Sequence, residues 1–476
     1  MTIWAPDLAD AQGPIYRSIA DALARDVESG ELQAGDRLPT LRELARRLDV
    51  NVMTVSRAYK EAARRGLVEG EVGRGTFVRR PPPAVGRLAQ MVPQAGSASG
   101  GSAGPDLIDF HFNLPAPDPS ILDVETVLAE LAGGAGRELL FSGYTTTGLP
   151  DHRAAGAEWL RRFGVEADPA RVVVCGGGQH AMTLAFATLT RPGDLVATSE
   201  LTYPGMKGLA NVLGLRLHGL PMDEEGLLPD AFETVCARGG VKVLYVMPTV
   251  HNPTGVVLPE ERRHALVESA RRHGVTLVED DTYGYLCPEP PPSLASLAPE
   301  LVYFLASTAK NLTPGLRIGY LLAPFSESSP DLAVERLAAN IAATSWMAAP
   351  LMAEIAARWI RDGSADRMLE WKRREACARR RSFDRIVGVE TDGYPGASHV
   401  WLRLPSPWRC ADFVAQARQR GVALTPSEAF VVGRAEAPHA VRVCLGTPRT
   451  RDEVKRGLAV LADMLAGSPD VVRSVV

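Results

Sequence analysis

The 476-residue chain is expected to be an α/β protein in two parts. An N-terminal winged helix-turn-helix precedes a larger domain, a mostly parallel sheet with helices on both faces and a smaller C-terminal α+β subdomain. Three observations lead there. Before residue 80, apolar residues recur at helical spacing in three short segments and then give way to two β runs around a glycine-rich turn. Residues 81–106 are rich in Pro, Gly, Ser and Ala and show no lasting periodicity. Beyond them, short apolar runs alternate with helical or long connecting segments.

The first helix is marked by Ile15, Ile19, Ala22, Leu23 and Val27, and the second by Leu41, Leu44, Ala45 and Leu48. Thr40-Leu-Arg-Glu43, just after Pro39, reads as a capping box that starts the second helix. After the turn Asp49-Val-Asn51, the core positions Val52, Val55, Tyr59 and Ala62 mark the third. Gly66 to Val78 then gives two strands and a wing. Expected boundaries are 12–80 for this module, 81–106 for a flexible linker spanning roughly 25–30 Å, 107–365 for the large domain and 366–470 for the small subdomain. Strands are expected at Val172–Cys175, Leu195–Thr198, Val243–Met247, Thr276–Glu279 and Leu301–Leu305, and a long charged helix at Asp366–Arg385.

Hydrophobic content of 46% and charged content of 23% suit a soluble globular protein. No apolar run reaches the ~18 residues of a membrane span, and the N-terminus lacks a signal-peptide pattern. Six scattered cysteines with no Cys-x-x-Cys pair fit reduced thiols in a cytoplasmic protein without a metal site. The net charge of −4 divides unevenly. Residues 12–80 carry 13 Lys/Arg against 10 Asp/Glu, so the remainder holds −7. A basic module on an acidic body suits binding a polyanion at one end.

In a winged helix the third helix enters the major groove, while the preceding helix and the wing meet phosphates. Arg42 falls in the first turn of the second helix. Thr54, Ser56 and Arg57 fall on the polar side of the third, and Arg74 sits between two glycines at the wing tip. The runs Gly35-Asp-Arg-Leu-Pro-Thr-Leu-Arg-Glu-Leu-Ala45, Val52-Met-Thr-Val-Ser-Arg-Ala-Tyr59 and Gly73-Arg-Gly-Thr-Phe-Val78 resemble the GntR-type winged helix. That resemblance implies a double-stranded DNA operator as partner. It places Arg37, Thr40, Arg42, Thr54, Ser56, Arg57, Arg74 and Thr76 nearest the duplex.

The larger domain carries a different chemistry. Lys310 follows an apolar strand, with Ser307 three residues before it and Arg317 seven after. A lysine at a strand end can form a Schiff base with an aldehyde. A hydroxyl and a guanidinium nearby can hold a phosphate. Together these are the needs of pyridoxal 5′-phosphate (PLP). Other strand ends deliver polar residues where ligands sit in open α/β sheets. Gly176-Gly-Gly-Gln179 precedes a helix and leaves N–H groups for a phosphate, although such turns also simply connect strand to helix. Tyr203 can stack on an aromatic ring, Asn252 can donate to a phenolate-like oxygen, and Asp280 can keep a pyridine nitrogen protonated. Tyr283 can share the ring oxygen with Asn252. Arg442 can pair with an α-carboxylate.

In this order these sites resemble the fold-type I aminotransferases over roughly 107–466. The most specific matches are Asn252-Pro-Thr-Gly255, Asp280-x-x-Tyr283 and Ser307-x-x-Lys310 with Arg317. The resemblance implies that Gly178, Gln179, Ser307 and Arg317 meet the phosphate, that Tyr203 stacks on the ring and that Asn252 and Tyr283 hold its oxygen. It also implies that Asp280 holds its nitrogen, Lys310 binds the aldehyde and Arg442 clamps substrate carboxylate. Tyr144 matches a tyrosine that often reaches the partner subunit's phosphate, which implies a homodimer. Ala309 stands where many relatives have Ser or Thr, a loss of about 1 kcal/mol of phosphate hydrogen bonding. The whole architecture resembles the MocR/PdxR subfamily of GntR regulators. It implies a PLP-dependent transcription regulator that senses an amino acid, an amine or PLP itself. The alternative is a catalytically active aminotransferase with an appended DNA-binding module.

Overall fold

The computed structural model describes residues 4–6, 14–29, 32, 35–64, 67–71, 75–78, 107–116, 120–141, 143–433 and 436–467. The linker 81–106 and Arg74 lie outside them. The chain divides into two compact units, Met1–Val92 and Pro93–Val476.

In the first unit, α1 (Ile15–Ser29), α2 (Leu41–Leu48) and α3 (Val52–Arg64) are followed by β1 (Val68–Glu71) and β2 (Gly75–Val78). The two strands pair antiparallel, Val68 opposite Val78. Ile19, Leu23, Leu44, Val55, Ala58 and Tyr59 fill the core. The capping box forms: Glu43 N–H donates to Thr40 Oγ1 at 3.3 Å, and Thr40 N–H donates to Glu43 Oε2 at 2.8 Å. Tyr59 is anchored by its hydroxyl, which donates to the Pro39 carbonyl at 2.8 Å. Two expected core positions are not core. Ile15 is 49% exposed and Val52 is 41% exposed. Both sit at the first position of their helix, where helical spacing continues but the described residues cover the side chain only in part.

The second unit is built on seven strands: β3 (Val172–Cys175), β4 (Leu195–Ser199), β5 (Arg216–Leu220), β6 (Val241–Val246), β7 (Thr276–Asp280), β8 (Val302–Ser307) and β9 (Gly319–Leu322). They lie in the order β3-β9-β8-β7-β6-β4-β5. Adjacent strands from β8 through β5 are parallel. The sheet is mixed at its other end, because β9 runs antiparallel to both β8 and β3. β3 therefore has no parallel neighbour, contrary to its expected place in a parallel ladder. β5 and β9 were not expected as strands. β9 has only four residues, directly after the Arg317 turn, and β5 mixes polar and apolar residues on a half-buried edge.

A helix at Gly178–Leu189 (α4) follows β3, a single turn at Thr308–Asn311 (α5) follows β8, and the charged helix at Ser364–Ile386 (α6) leads into the small subdomain. There a three-stranded sheet joins β10 (His399–Arg403), β11 (Thr425–Pro426) and β12 (Ala440–Cys444), with β12 in the middle. Its core of Phe383, Val400, Phe413, Val441 and Leu458 is separate from that of the large sheet.

Candidate functional site

Lys310 lies in α5, just past the C-terminal end of β8. Its amine donates to the main-chain carbonyl of Asn113. Burial lowers its pKa from 10.5 to about 8, and the charges of Arg442 and Arg317 push the same way. A neutral, nucleophilic amine is thus within reach at ordinary pH.

Asp280 ends β7, the strand beside β8. Its Oδ2 accepts the Tyr245 hydroxyl at 2.7 Å, and its Oδ1 accepts the Thr282 hydroxyl at 2.6 Å. Burial raises its pKa, while these hydrogen bonds oppose that shift. Tyr203 caps the helix Pro204–Leu213, and the Asp280 charge reaches its hydroxyl. Tyr283 is buried, with its ring 5.3 Å from that of His399 in an edge-on arrangement.

Ser307, Arg317, Gly177 and Gly178 converge on one spot. A Cβ at Gly178 would lie 3.0 Å from the Ser307 Cβ, and one at Gly177 would lie 2.8 Å from the Arg317 guanidinium. Gly177 has φ +94, a conformation that L side chains avoid. The 12-residue α4 begins here, with Gly177 at its N-cap and no side-chain capping hydrogen bond. Arg317 itself is left-handed, at φ 53, which turns the chain between α5 and β9. Gln179 is exposed, and its amide donates to the Gly205 carbonyl at 3.5 Å.

Arg442 comes from β12 and is buried. It donates to Asn252 Oδ1 at 2.7 Å, to the His111 carbonyl at 2.9 Å and to the Thr425 hydroxyl at 3.4 Å. Its guanidinium lies over the Phe430 ring at 4.8 Å. Its Nε is buried without a partner. Tyr144 stands apart from these residues: it is 74% exposed and packs against Trp346 with ring centroids 5.2 Å apart.

Several groups at the site were not anticipated. Asn113 supplies the carbonyl that holds Lys310, and its amide contacts His399 Nδ1 at 3.1 Å. Burial pushes the His399 pKa down to about 3, so the imidazole is neutral. Lys372, on α6, is buried and donates to the carbonyls of Lys310 at 3.0 Å and Leu312 at 2.6 Å. Burial lowers its pKa to about 7, with the Lys310 charge adding to the effect.

In the first unit, Arg37, Thr40, Arg42 and Arg57 are exposed, while Thr54, Ser56 and Thr76 are half-buried. Arg57 lies over the Tyr16 ring at 4.5 Å. The Arg37 side chain runs beside Gly75, the first residue of β2. The Thr40 hydroxyl is engaged in the capping box.

Residues 106–461 match the family described as aminotransferase class I and II, and residues 15–78 match that of bacterial regulatory proteins, gntR family. The "Uncharacterized HTH-type transcriptional regulator YdeF" of Bacillus subtilis (strain 168) is 30% identical over 470 residues, which cover 97% of this chain and 96% of that protein. The probable rhizopine catabolism regulatory protein MocR of Rhizobium meliloti is 31% identical over 333 residues, 66% of each chain. Among solved structures, kynurenine aminotransferase of Pyrococcus horikoshii, determined in complex with PMP, is similar with a TM-score of 0.69 and 25% identity. The match covers 81% of this chain and 95% of that one.

Proposed function

This chain belongs to the aminotransferase class I and II family and carries a gntR-family module ahead of that domain; we propose that it is a PLP-dependent transcription regulator of the MocR/PdxR type. It is a DNA-binding regulator by architecture.

The observation that carries the cofactor assignment is the surrounding of Lys310. A buried lysine with a pKa of about 8 shares its site with a carboxylate, two tyrosines and two arginines. PLP fits these residues. The gap over Gly177 and Gly178, bordered by Ser307 and Arg317, is a cradle that any Cβ would fill, and helix N-termini favour phosphate. Bound there, PLP supplies an electron sink. Asp280 would hold a proton on the ring nitrogen. Asn252 and Tyr283 would face the ring oxygen, Tyr203 its face, and Lys310 the aldehyde. Gln179 borders the phosphate end.

The effector is an amino acid, an amine or PLP itself. Arg442 is the group to meet a carboxylate, and its partnerless Nε is a donor in waiting. Effector binding alters operator affinity only if it favours one of two states of the protein. The exposed apolar side chains Leu140, Phe141, Tyr144 and Trp346 support a homodimer, with Tyr144 directed to the partner's phosphate. Among the described residues no helix is long and apolar enough to cross a membrane. A cytoplasmic location is part of the proposal.

The test is an absorbance spectrum of the protein with PLP, before and after adding a panel of amino acids and amines, with 2-oxo acid assayed in parallel. A visible band that shifts with one amino compound without sustained 2-oxo acid supports the regulator and names its effector. The complete set of site residues also fits a working aminotransferase, and sustained turnover lost in Lys310→Ala would put that reading first. Operator binding unchanged in Arg42→Ala and Arg57→Ala at moderate salt would defeat the DNA assignment.

A further inference from the structure

We infer that Met53, with Val52 beside it, reads thymine methyl groups in the major groove of the operator; this rests on the DNA-binding reading above. Helix α3 buries Val55, Ala58, Tyr59 and Ala62 along one face. On the opposite side Met53, Ser56, Arg57 and Lys60 follow one another at the i, i+3, i+4, i+7 spacing of a single stripe. Met53 is 74% exposed, so it adds nothing to the core of the module.

Its position gives it a partner. Met53 lies in the first turn of the second helix of a helix-turn-helix, the part that meets base edges. In the major groove the apolar group on offer is the thymine C5 methyl. Over α2, the turn and α3 the exposed charges are mainly basic: Arg42, Arg46, Arg47, Arg57 and Lys60, against Glu43 and Asp49. That charge matches a phosphate-flanked groove and opposes an apolar protein partner. Two contacts hold the stripe in place. The Asn51 side-chain carbonyl accepts the Met53 N–H at 2.8 Å and fixes the start of the helix. Arg57 is stacked on Tyr16 one turn further on. The unbranched thioether of methionine adapts to the groove floor without needing a hydrogen bond.

The experiment uses the full chain. Duplexes are selected from a random pool, and each thymine of the recovered site is replaced in turn by deoxyuridine. This keeps every hydrogen-bonding group and removes only the methyl. The wild type is expected to lose about fourfold in affinity at one or two positions, the worth of one buried methyl. Met53→Ala binds the thymine duplex weakly to the same degree and no longer distinguishes thymine from uracil there. Met53→Leu keeps the distinction. A wild type indifferent to the replacement at every position, or a Met53→Ala protein that still discriminates, overturns the inference. Failure to enrich any sequence overturns the DNA-binding reading itself.

Discussion

Arg442 donates to the side-chain carbonyl of Asn252 at 2.7 Å, joining β12 of the small subdomain to the loop after β6 in the large one. Under the proposed function these residues face different ligands, a carboxylate and the ring oxygen. The guanidinium has planar donors to spare, including its free Nε. Arg442→Lys keeps the charge and loses the fork. It is expected to weaken amino acids about 10- to 100-fold, the worth of a charge-assisted hydrogen bond, and to leave the corresponding decarboxylated amines unaffected. Spectral titration with each pair checks this. Equal weakening of acid and amine would remove Arg442 from the carboxylate.

The pH dependence of cofactor capture follows from Lys310. The neutral amine is the nucleophile, and burial lowers its pKa from 10.5 to about 8. The rate at which apo-protein takes up PLP should therefore rise with pH through a midpoint near 8. Stopped-flow absorbance between pH 6.5 and 9.5 reads this directly. A rate still climbing tenfold per unit above pH 9 would show an ordinary lysine.

Lys372 supports the same segment from behind. A neutral amine has two N–H groups, as many as the carbonyls of Lys310 and Leu312 that it meets. Its folded pKa, about 7, is below the usual 10.5. Between those values the unfolded chain binds one proton more than the folded one, so this group's contribution to stability rises with pH above about 7. Lys372→Met removes that dependence and both donors. The difference in thermal stability between wild type and variant should widen in favour of wild type from pH 7 to 9. A constant or shrinking difference would count against a neutral Lys372.

The Thr40–Glu43 capping box sets the start of α2, the helix carrying Arg42. Thr40→Ala is expected to cost about 1 kcal/mol of local stability. Hydrogen exchange at residues 41–45 should quicken about fivefold, with the second unit unchanged. No change there would mean that tertiary packing alone holds the helix.

Much of this was legible in the sequence because it was local. Helical spacing and a capping box marked α2, and strand ends carried Asp280, Asn252 and Lys310 to one edge of the sheet. What escaped depended on distant packing. Lys372 shares α6 with seven arginines and is followed directly by Arg373 and Arg374, so nothing local separates this buried lysine from a solvated one. Asn113 acts through its main chain, which has no sequence signature. Val52 kept the spacing of a core residue yet ended exposed, because periodicity shows the face of a helix and not where its cover stops.

The most direct test of the central claim is operator affinity of the full-length, PLP-loaded protein, measured by fluorescence anisotropy with and without the amino compound that shifts its spectrum. The account predicts a change of at least about fivefold, absent in Lys310→Ala, which still binds the operator. An affinity that the compound leaves untouched in the wild type would contradict it.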